Sequence, residues 1–352
     1  MAKDGSPPRS GMRDVARAAG VSVSTVANVL SRPSIVAQET RLRVERAIRS
    51  VGYVPNGPAR QLRGVPSPIV GSITLDLANP FYAELNRGIE DRLAEAGCLV
   101  LAGSTDLQVA KERQILDLLQ QQGVRGIIIS PIDPDSTTLI QLSRRGTPVV
   151  LIDHPRGRLD LCAVAVDDTL GGQLAGEHLL SLGHRRIAFL SGMGGPGPVT
   201  RRRDGLRQVL AAAGLEPDKA LLDIHMPLNP PTLAAAAAAS VDRLLSIDPR
   251  PTAVVCLNDT AALGLLDGLC AAGVRVPEEM SVIGYDDLPF ARRLAPPLTT
   301  VNQPKYQLGR AAAELLLEEA RPDHTHREIM FQPSLAIRSS TAPPPHPKRR
   351  SR

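Results

Sequence analysis

From residue 69 to residue 285 the chain alternates short apolar runs with amphipathic stretches of helical period. Runs at 69–75, 99–102 and 126–130 are followed by helical stretches at 80–96, 109–122 and 135–145, and a further run follows at 149–152. The pattern resumes with 163–166 then 169–182, 187–190 then 201–213, a helix at 231–246, 253–257 then 259–271, and 282–285. Runs apolar on both faces, separated by helices, are the strands of parallel sheets covered on both sides. About ten strands over roughly 270 residues suit two doubly wound lobes better than one sheet. A cleft at the carboxyl ends of such strands is the default position for a ligand.

The first sixty residues follow another period. Residues 15–30 read V-A-R-A-A-G-V-S-V-S-T-V-A-N-V-L, a short helix, a glycine turn and a second helix that Ser22 opens as N-cap. That is the layout of a helix-turn-helix, in which one helix braces another whose exposed face enters a DNA major groove. A third helix at about 38–51 carries Leu42, Val44 or Glu45, and Ile48, whose apolar members can close over the first two. The segment 52–64, followed by V-P-S-P, reads as a hinge, because two prolines there forbid a continuous helix.

Charge supports the same division. Residues 1–64 hold 11 Lys and Arg against 4 Asp and Glu, and Lys348, Arg349, Arg350 and Arg352 close the chain, whereas the whole carries only +5. A basic head and tail on an acidic body imply a polyanionic partner for the head. Residues 1–11 and 341–352, rich in Pro, Ser and basic residues, read as disordered.

Several functions are disfavoured. No apolar segment follows the polar residues 1–11 and no run approaches a membrane span, so a cytoplasmic protein without a secretory leader is expected, which argues against a solute-binding protein of a transporter. Cys98, Cys162, Cys256 and Cys270 are scattered among apolar residues without a CxxC and read as buried thiols. His324-Thr325-His326 reads as a solvated loop, since no third ligand is within reach along the sequence, and no metal or other cofactor is expected. The loop M-G-G-P-G-P at 193–198 lacks the GK[ST] ending of a phosphate cradle, and no catalytic Ser/His/Asp or Cys/His spacing appears, so the chain is not expected to be an enzyme.

Eight motifs in order carry a resemblance to the LacI/GalR family of bacterial transcription regulators, from about residue 12 to residue 338. They are D-V-A-R-A-A-G-V-S-V-S-T-V (14–26), G-Y-V-P-N (52–56), A-N-P-F-Y (78–82), L-G-H-R-R-I-A-F-L (182–190), R-P-T-A-V (250–254), N-D-T-A-A-L-G (258–264), V-P-E-E-M-S-V-I-G-Y-D-D (276–287) and P-P-L-T-T-V-N-Q-P (296–304). The resemblance implies a helix-turn-helix headpiece at 12–55, a hinge helix and linker at 56–68, and at 69–340 a two-lobed, periplasmic-binding-protein-like α/β domain that binds an effector and dimerises. It further implies a homodimer on a pseudo-palindromic operator, usually a repressor, with a sugar, or alternatively a purine or nucleoside, between the lobes. The tail P-P-P-H-P-K-R-R-S-R offers no leucine heptad for a tetramer.

By the same resemblance Val23, Ser24 and Asn28 face bases, with Ser22 and Thr25 nearer the backbone. Relatives commonly have Ser-Arg where this chain has Ala27-Asn28; an amide pairs with adenine N6 and N7, whereas Arg favours guanine. Ala37 stands where relatives often place a Ser or Thr cap for the third helix. In the hinge the implied DNA contacts fall on Asn56, Ala59 and Leu62, with Leu62 as a minor-groove wedge on a segment that folds upon binding. The effector residues implied are Asn79, Phe81, Asp153, Arg202, Asn258, Asp286 and Gln303. Three of these, Asp153, Asn258 and Asp286, also sit at predicted strand ends, where carboxylates and amides can accept from or donate to vicinal hydroxyls. Near 224–228, where relatives often carry an aromatic, this chain has His225 and Met226, so Phe81 or Tyr82 is left to stack on a ligand.

Overall fold

The computed structural model describes residues 10–54, 67–133, 137–192, 197–226, 233–319, 321 and 323–345. They fall into two compact units, an N-terminal one and a larger one that begins at Ile69. The hinge residues Asn56, Ala59 and Leu62 lie outside the described residues.

The N-terminal unit holds α1 (Met12–Ala19), α2 (Val23–Ser31), a 3-10 turn and α3 (Gln38–Val51). Gly20, at φ 63°, takes the left-handed conformation that ends α1 and turns the chain into α2. Val15, Val26 and Val44 are fully buried, and Ala16, Ala19, Val29 and Ala47 complete a small core. Leu42, expected in that core, is 45 % exposed; Val44, Ala47 and the half-buried Ile48 form the inward face of α3 instead. Ala37, the N-cap of α3, makes no side-chain bond to the first turn. Ala37→Ser is therefore expected to stabilise this unit by about 1 kcal/mol. Slower amide exchange in α3 measures it, and unchanged exchange would show that the first turn already has its partners.

The larger unit has two six-stranded sheets. In the first, β1 (Ile69–Thr74), β2 (Leu99–Ser104), β3 (Gly126–Ile129), β4 (Val149–Ile152) and β5 (Cys162–Val166) run in the order β2-β1-β3-β4-β5. In the second, β6 (Ile187–Gly192), β7 (Leu221–Met226), β8 (Ala253–Cys256), β9 (Ser281–Asp286) and β10 (Thr299–Asn302) repeat that order as β7-β6-β8-β9-β10. All these pairings are parallel, and β3, β4, β5, β6, β8 and β9 are buried along their whole length, as strands covered on both faces must be. The helices between the strands include α4 (Pro80–Glu95), α5 (Val109–Gln121), α6 (Thr137–Arg144), α7 (Asp168–Ser181), α8 (Gly197–Ala212) and the short α9 (Pro217–Ala220).

Three crossings join the lobes. The chain leaves the first after β5, returns through α13 (Lys305–Glu318) to β11 (Glu328–Phe331), which pairs with β5, and ends in β12 (Ser334–Ala336), antiparallel to β10. None of β7, β10, β11 and β12 stands among the sequence-predicted strands. The helix expected at 231–246 is two pieces, α10 (Leu233–Ala239) and α11 (Val241–Leu245), parted at Ser240, whose hydroxyl donates back to Ala236 O. Between these and β9 runs α12 (Asp259–Ala271). Thr341 and Ala342, expected in a disordered tail, are fixed to the second lobe: His184 Nε2 lies 2.9 Å from Ala342 O, and Ala342 N donates to Ser281 Oγ. Cys98, Cys162 and Cys256 are buried as expected, but Cys270 is exposed. Among the described residues no helix is long and apolar enough to cross a membrane.

Candidate functional site

On α2 the side chain of Ser22 accepts from Thr25 N at 3.0 Å, which fixes the helix start, and its hydroxyl lies within hydrogen-bond distance of Ser24 and Thr25 hydroxyls. Val26 and Val29 point into the core, so the opposite face carries Ser22, Val23, Ser24 and Asn28, all exposed, with Thr25 half-buried at its edge. Val23 is 40 % exposed, a large apolar side chain held out toward solvent. This face presents hydroxyls, an amide and one branched apolar group beside a helix N-terminus, the set that meets phosphate and base edges.

In the larger unit one cavity, with about 710 Å³ of space unfilled by atoms, is lined by residues from both lobes. Asn79, Phe81, Asp153, Arg202, Asn258, Asp286 and Gln303 all line it. Each comes from the carboxyl end of a strand or the segment just after it, except Phe81 in the first turn of α4 and Arg202 on α8. Asn79 caps α4 through Phe81 N, and Asn258 caps α12 through Ala261 N, so the capping oxygen of each is engaged and its amide nitrogen is what remains to offer. Asp153 and Asp286 take φ of 57° and 110°, conformations that L-residues rarely adopt, at corresponding ends of the fourth strand in each sheet order.

Polar contacts between these groups are dense. Arg202 donates through Nε to Asp168 Oδ1 at 2.8 Å and through Nη1 to Leu257 O at 2.7 Å, with its guanidinium carbon 3.6 Å from the centre of the Tyr285 ring. Tyr285 in turn donates to Asp168, and Tyr82 donates to Asp153 Oδ2 at 3.2 Å. Gln303 Nε2 donates to Asp286 Oδ1 at 2.7 Å, and its Oε1 is buried without a hydrogen-bond partner. Asp168 and Tyr285 are the residues that sequence reasoning did not assign, and Tyr82, read from the sequence as a stacking candidate, is here a donor to Asp153. Asp168 follows the end of β5 and carries the same strand-end signal as Asp153; Tyr285 carries none, because its contact with Arg202 joins residues 83 positions apart.

Burial pushes the carboxyls of Asp153 and Asp286 up to about 7. For Asp153 desolvation leads, Asp168 adds repulsion and Arg202 opposes; for Asp286 desolvation leads and Arg202 opposes. Unfolded, such carboxyls titrate near ~4. Between those values the folded protein holds protons that the unfolded chain has released, so stability falls as pH rises through that window. Asp286→Asn is expected to lose less stability than the parent between about pH 5 and about pH 8, read from denaturant midpoints. Equal losses would place this carboxyl in its ordinary range.

The arrangement is that of a ligand-responsive DNA-binding regulator: a helix-turn-helix in one unit and, in the other, a polar cleft between lobes. Residues 11–56 match the family described as bacterial regulatory proteins, lacI family, and residues 177–341 match the periplasmic binding protein-like domain. The chain is 32 % identical to the HTH-type transcriptional repressor PurR of Photobacterium profundum, over 94 % of this chain and 98 % of that one. Among solved structures it is similar to a LacI family transcriptional regulator from Enterococcus faecium with bound ribose, at 32 % identity and a TM-score of 0.72 over 78 % of this chain and 99 % of that one. It is also similar to the lac repressor dimer bound to operator and an anti-inducer, at 27 % identity and a TM-score of 0.78 over 95 % of this chain and 99 % of that one. The chain belongs to the LacI family of bacterial transcriptional regulators, and it is a DNA-binding regulator rather than an enzyme.

Proposed function

We propose that this protein is a cytoplasmic repressor that acts as a homodimer and whose operator affinity is set by a sugar or sugar derivative held in the interlobe cavity. The observation that carries the effector class is the buried Gln303 Oε1. An acceptor at this depth without a donor is costly, and beside it stand the carboxylates of Asp153 and Asp286, so the cavity wants a ligand rich in hydroxyl donors. Arg202 and the amides of Asn79 and Asn258 supply donors to the ligand's oxygens. A bound ribose in one solved relative agrees with this reading. A purine is the second reading, favoured by the PurR relative and by the edge-to-face pair of Phe81 and Tyr82 at the cavity wall. Thermal-shift screening of the full chain with pentoses, hexoses, nucleosides and purine bases decides between them; stabilisation by bases alone would overturn the sugar reading.

Support for the dimer comes from β2, an edge strand that leaves Leu99 at 69 % and Leu101 at 50 % exposure. An apolar edge of this kind is a liability unless covered, and a second copy covers it. At the operator, Val23, Ser24 and Asn28 read the major groove, Ser22 and Thr25 meet the DNA backbone, and Asn56, Ala59 and Leu62 act at the hinge, Leu62 as the wedge. Asn28→Arg is expected to move half-site preference from adenine to guanine, a discrimination worth about 1–3 kcal/mol. Binding-site selection measures it, and an unchanged half-site would remove Asn28 from the base contacts.

A further inference from the structure

The fold gives His324 and His326 partners that their loop was not expected to have, Glu319 from five positions before His324 and Cys162 from 162 positions before it. Parallel pairing of β11 with β5, Glu328 beside Ala163, lays the segment after α13 against the start of β5. Cys162, the first residue of β5 and fully buried, has its Sγ 3.1 Å from His324 Nε2. Glu319 Oε1 lies 3.5 Å from that nitrogen and 3.4 Å from His326 Nε2. The ligating atoms of Cys162, Glu319 and His324 all fall within 4.8 Å of one another.

The Glu319 side chain is only 8 % exposed, and its Oε1 has no hydrogen-bond partner. A buried carboxylate oxygen without a hydrogen-bond partner is costly, and a cation held between it, the thiol and the His324 imidazole would compensate it. Tetrahedral coordination at about 2.0–2.3 Å places neighbouring ligand atoms roughly 3.3–3.7 Å apart, close to the 3.1 Å and 3.5 Å that separate His324 Nε2 from Cys162 Sγ and Glu319 Oε1. The surroundings resemble an outer coordination shell. Asp160 Oδ1 lies 2.9 Å from His326 Nδ1, which leaves Nε2 to face Glu319, and Arg156 Nη2 donates to the same carboxylate. Arg327 N donates to Cys162 Sγ at 3.4 Å.

We propose that Cys162, Glu319 and His324 form a binding site for a borderline divalent transition-metal cation with zinc-like preferences, with His326 at its edge beside Glu319, and that the ion staples Glu319 and His324 to β5. Sulfur and imidazole ligands select such an ion over Mg²⁺ or Ca²⁺. On coordination the Cys162 thiol gives its proton to solvent. The site sits at the amino end of β5, the end of the sheet opposite the effector cavity, and is chemically independent of it.

Co²⁺ titration of the untagged full chain, stripped of metal with a chelator, tests this. One equivalent is expected to give a thiolate-to-metal charge-transfer band and the intense visible bands of tetrahedral Co²⁺, both erased by Zn²⁺. Cys162→Ser is expected to lose the charge-transfer band, and Cys270→Ser, which removes the exposed thiol, to keep it. Asp160→Asn is expected to keep the band while binding about tenfold more weakly. Should Cys162→Ser fold poorly, His324→Gln serves, with loss of the visible bands expected. A parent chain without these bands, a charge-transfer band that survives Cys162→Ser, or visible bands unchanged in His324→Gln overturns the proposal.

Discussion

Arg202→Ala is expected to destabilise the larger unit by about 3 kcal/mol and to abolish the response to effector. Removing one partner of a buried ion pair costs about 3–5 kcal/mol, because the other charge is left without compensation. Here the stranded group is Asp168, with Leu257 O losing its donor as well. The lower end of the range applies, since Arg201 Nη2 stands 3.4 Å from the other oxygen of Asp168 and retains part of the compensation. The double change Arg202→Met with Asp168→Asn should cost less than Arg202→Ala alone, since neither member of the pair is left facing the loss of the other. Denaturant unfolding gives the energies and calorimetry the loss of effector binding, while operator affinity without effector should stay at the parent value. A stability loss below about 1 kcal/mol would mean that water reaches Asp168 and that the pair is not the cleft's anchor.

Gly205→Val is expected to cost about 3 kcal/mol or more, because it forces α7 and α8 apart. A Cβ at Gly205 would stand 2.0 Å from Thr169 O, and one at Gly172 would stand 1.9 Å from Arg202 O, so the two helices touch backbone to backbone at reciprocal points. Overpacking ordinarily costs about 1–3 kcal/mol, with flexible side chains absorbing part of the strain; here the obstacles are carbonyl groups of rigid helices. The separation also moves Arg202 off Asp168, so effector binding should fall with stability. Thermal unfolding with and without a saturating effector measures both. A variant as stable as the parent would show that α8 can slide without consequence.

What the sequence displayed was local. The period-3.6 stripe of α1 and α2, the Ser22 cap and the alternation of apolar runs with helices depend on residues a few positions apart. Strand ends likewise marked Asp153, Asn258 and Asp286, which do line the cavity. What it hid was pairing over distance. β11 has half-exposed residues and is a strand only because β5 lies beside it, some 165 residues back in the chain. Cys162 and His324 are invisible to each other for the same reason. Leu42 shows the limit within a single helix: several apolar positions fit the stripe, and only packing against α1 and α2 selects Val44 and Ala47.

The return of the chain through α13 and β11 fixes an order of events during synthesis. β5 ends at Val166, yet the strand that covers its outer edge ends at Phe331. At translation rates of about 5–20 residues per second, the first lobe waits roughly ten to thirty seconds for its last strand. Until then β5 presents a bare edge, and Gly88 of α4 lies open where Tyr306 of α13 will later seat its carbonyl against it. The second lobe, from α7 to β10, is by contrast nearly contiguous and can close first. The lobe that begins the core is therefore the one that waits longest for its edge strand, since β12 follows β10 after only a short stretch of chain, and a ribosome that stalls between residues 166 and 305 holds a nascent chain with an unsealed apolar edge, a natural client for chaperones.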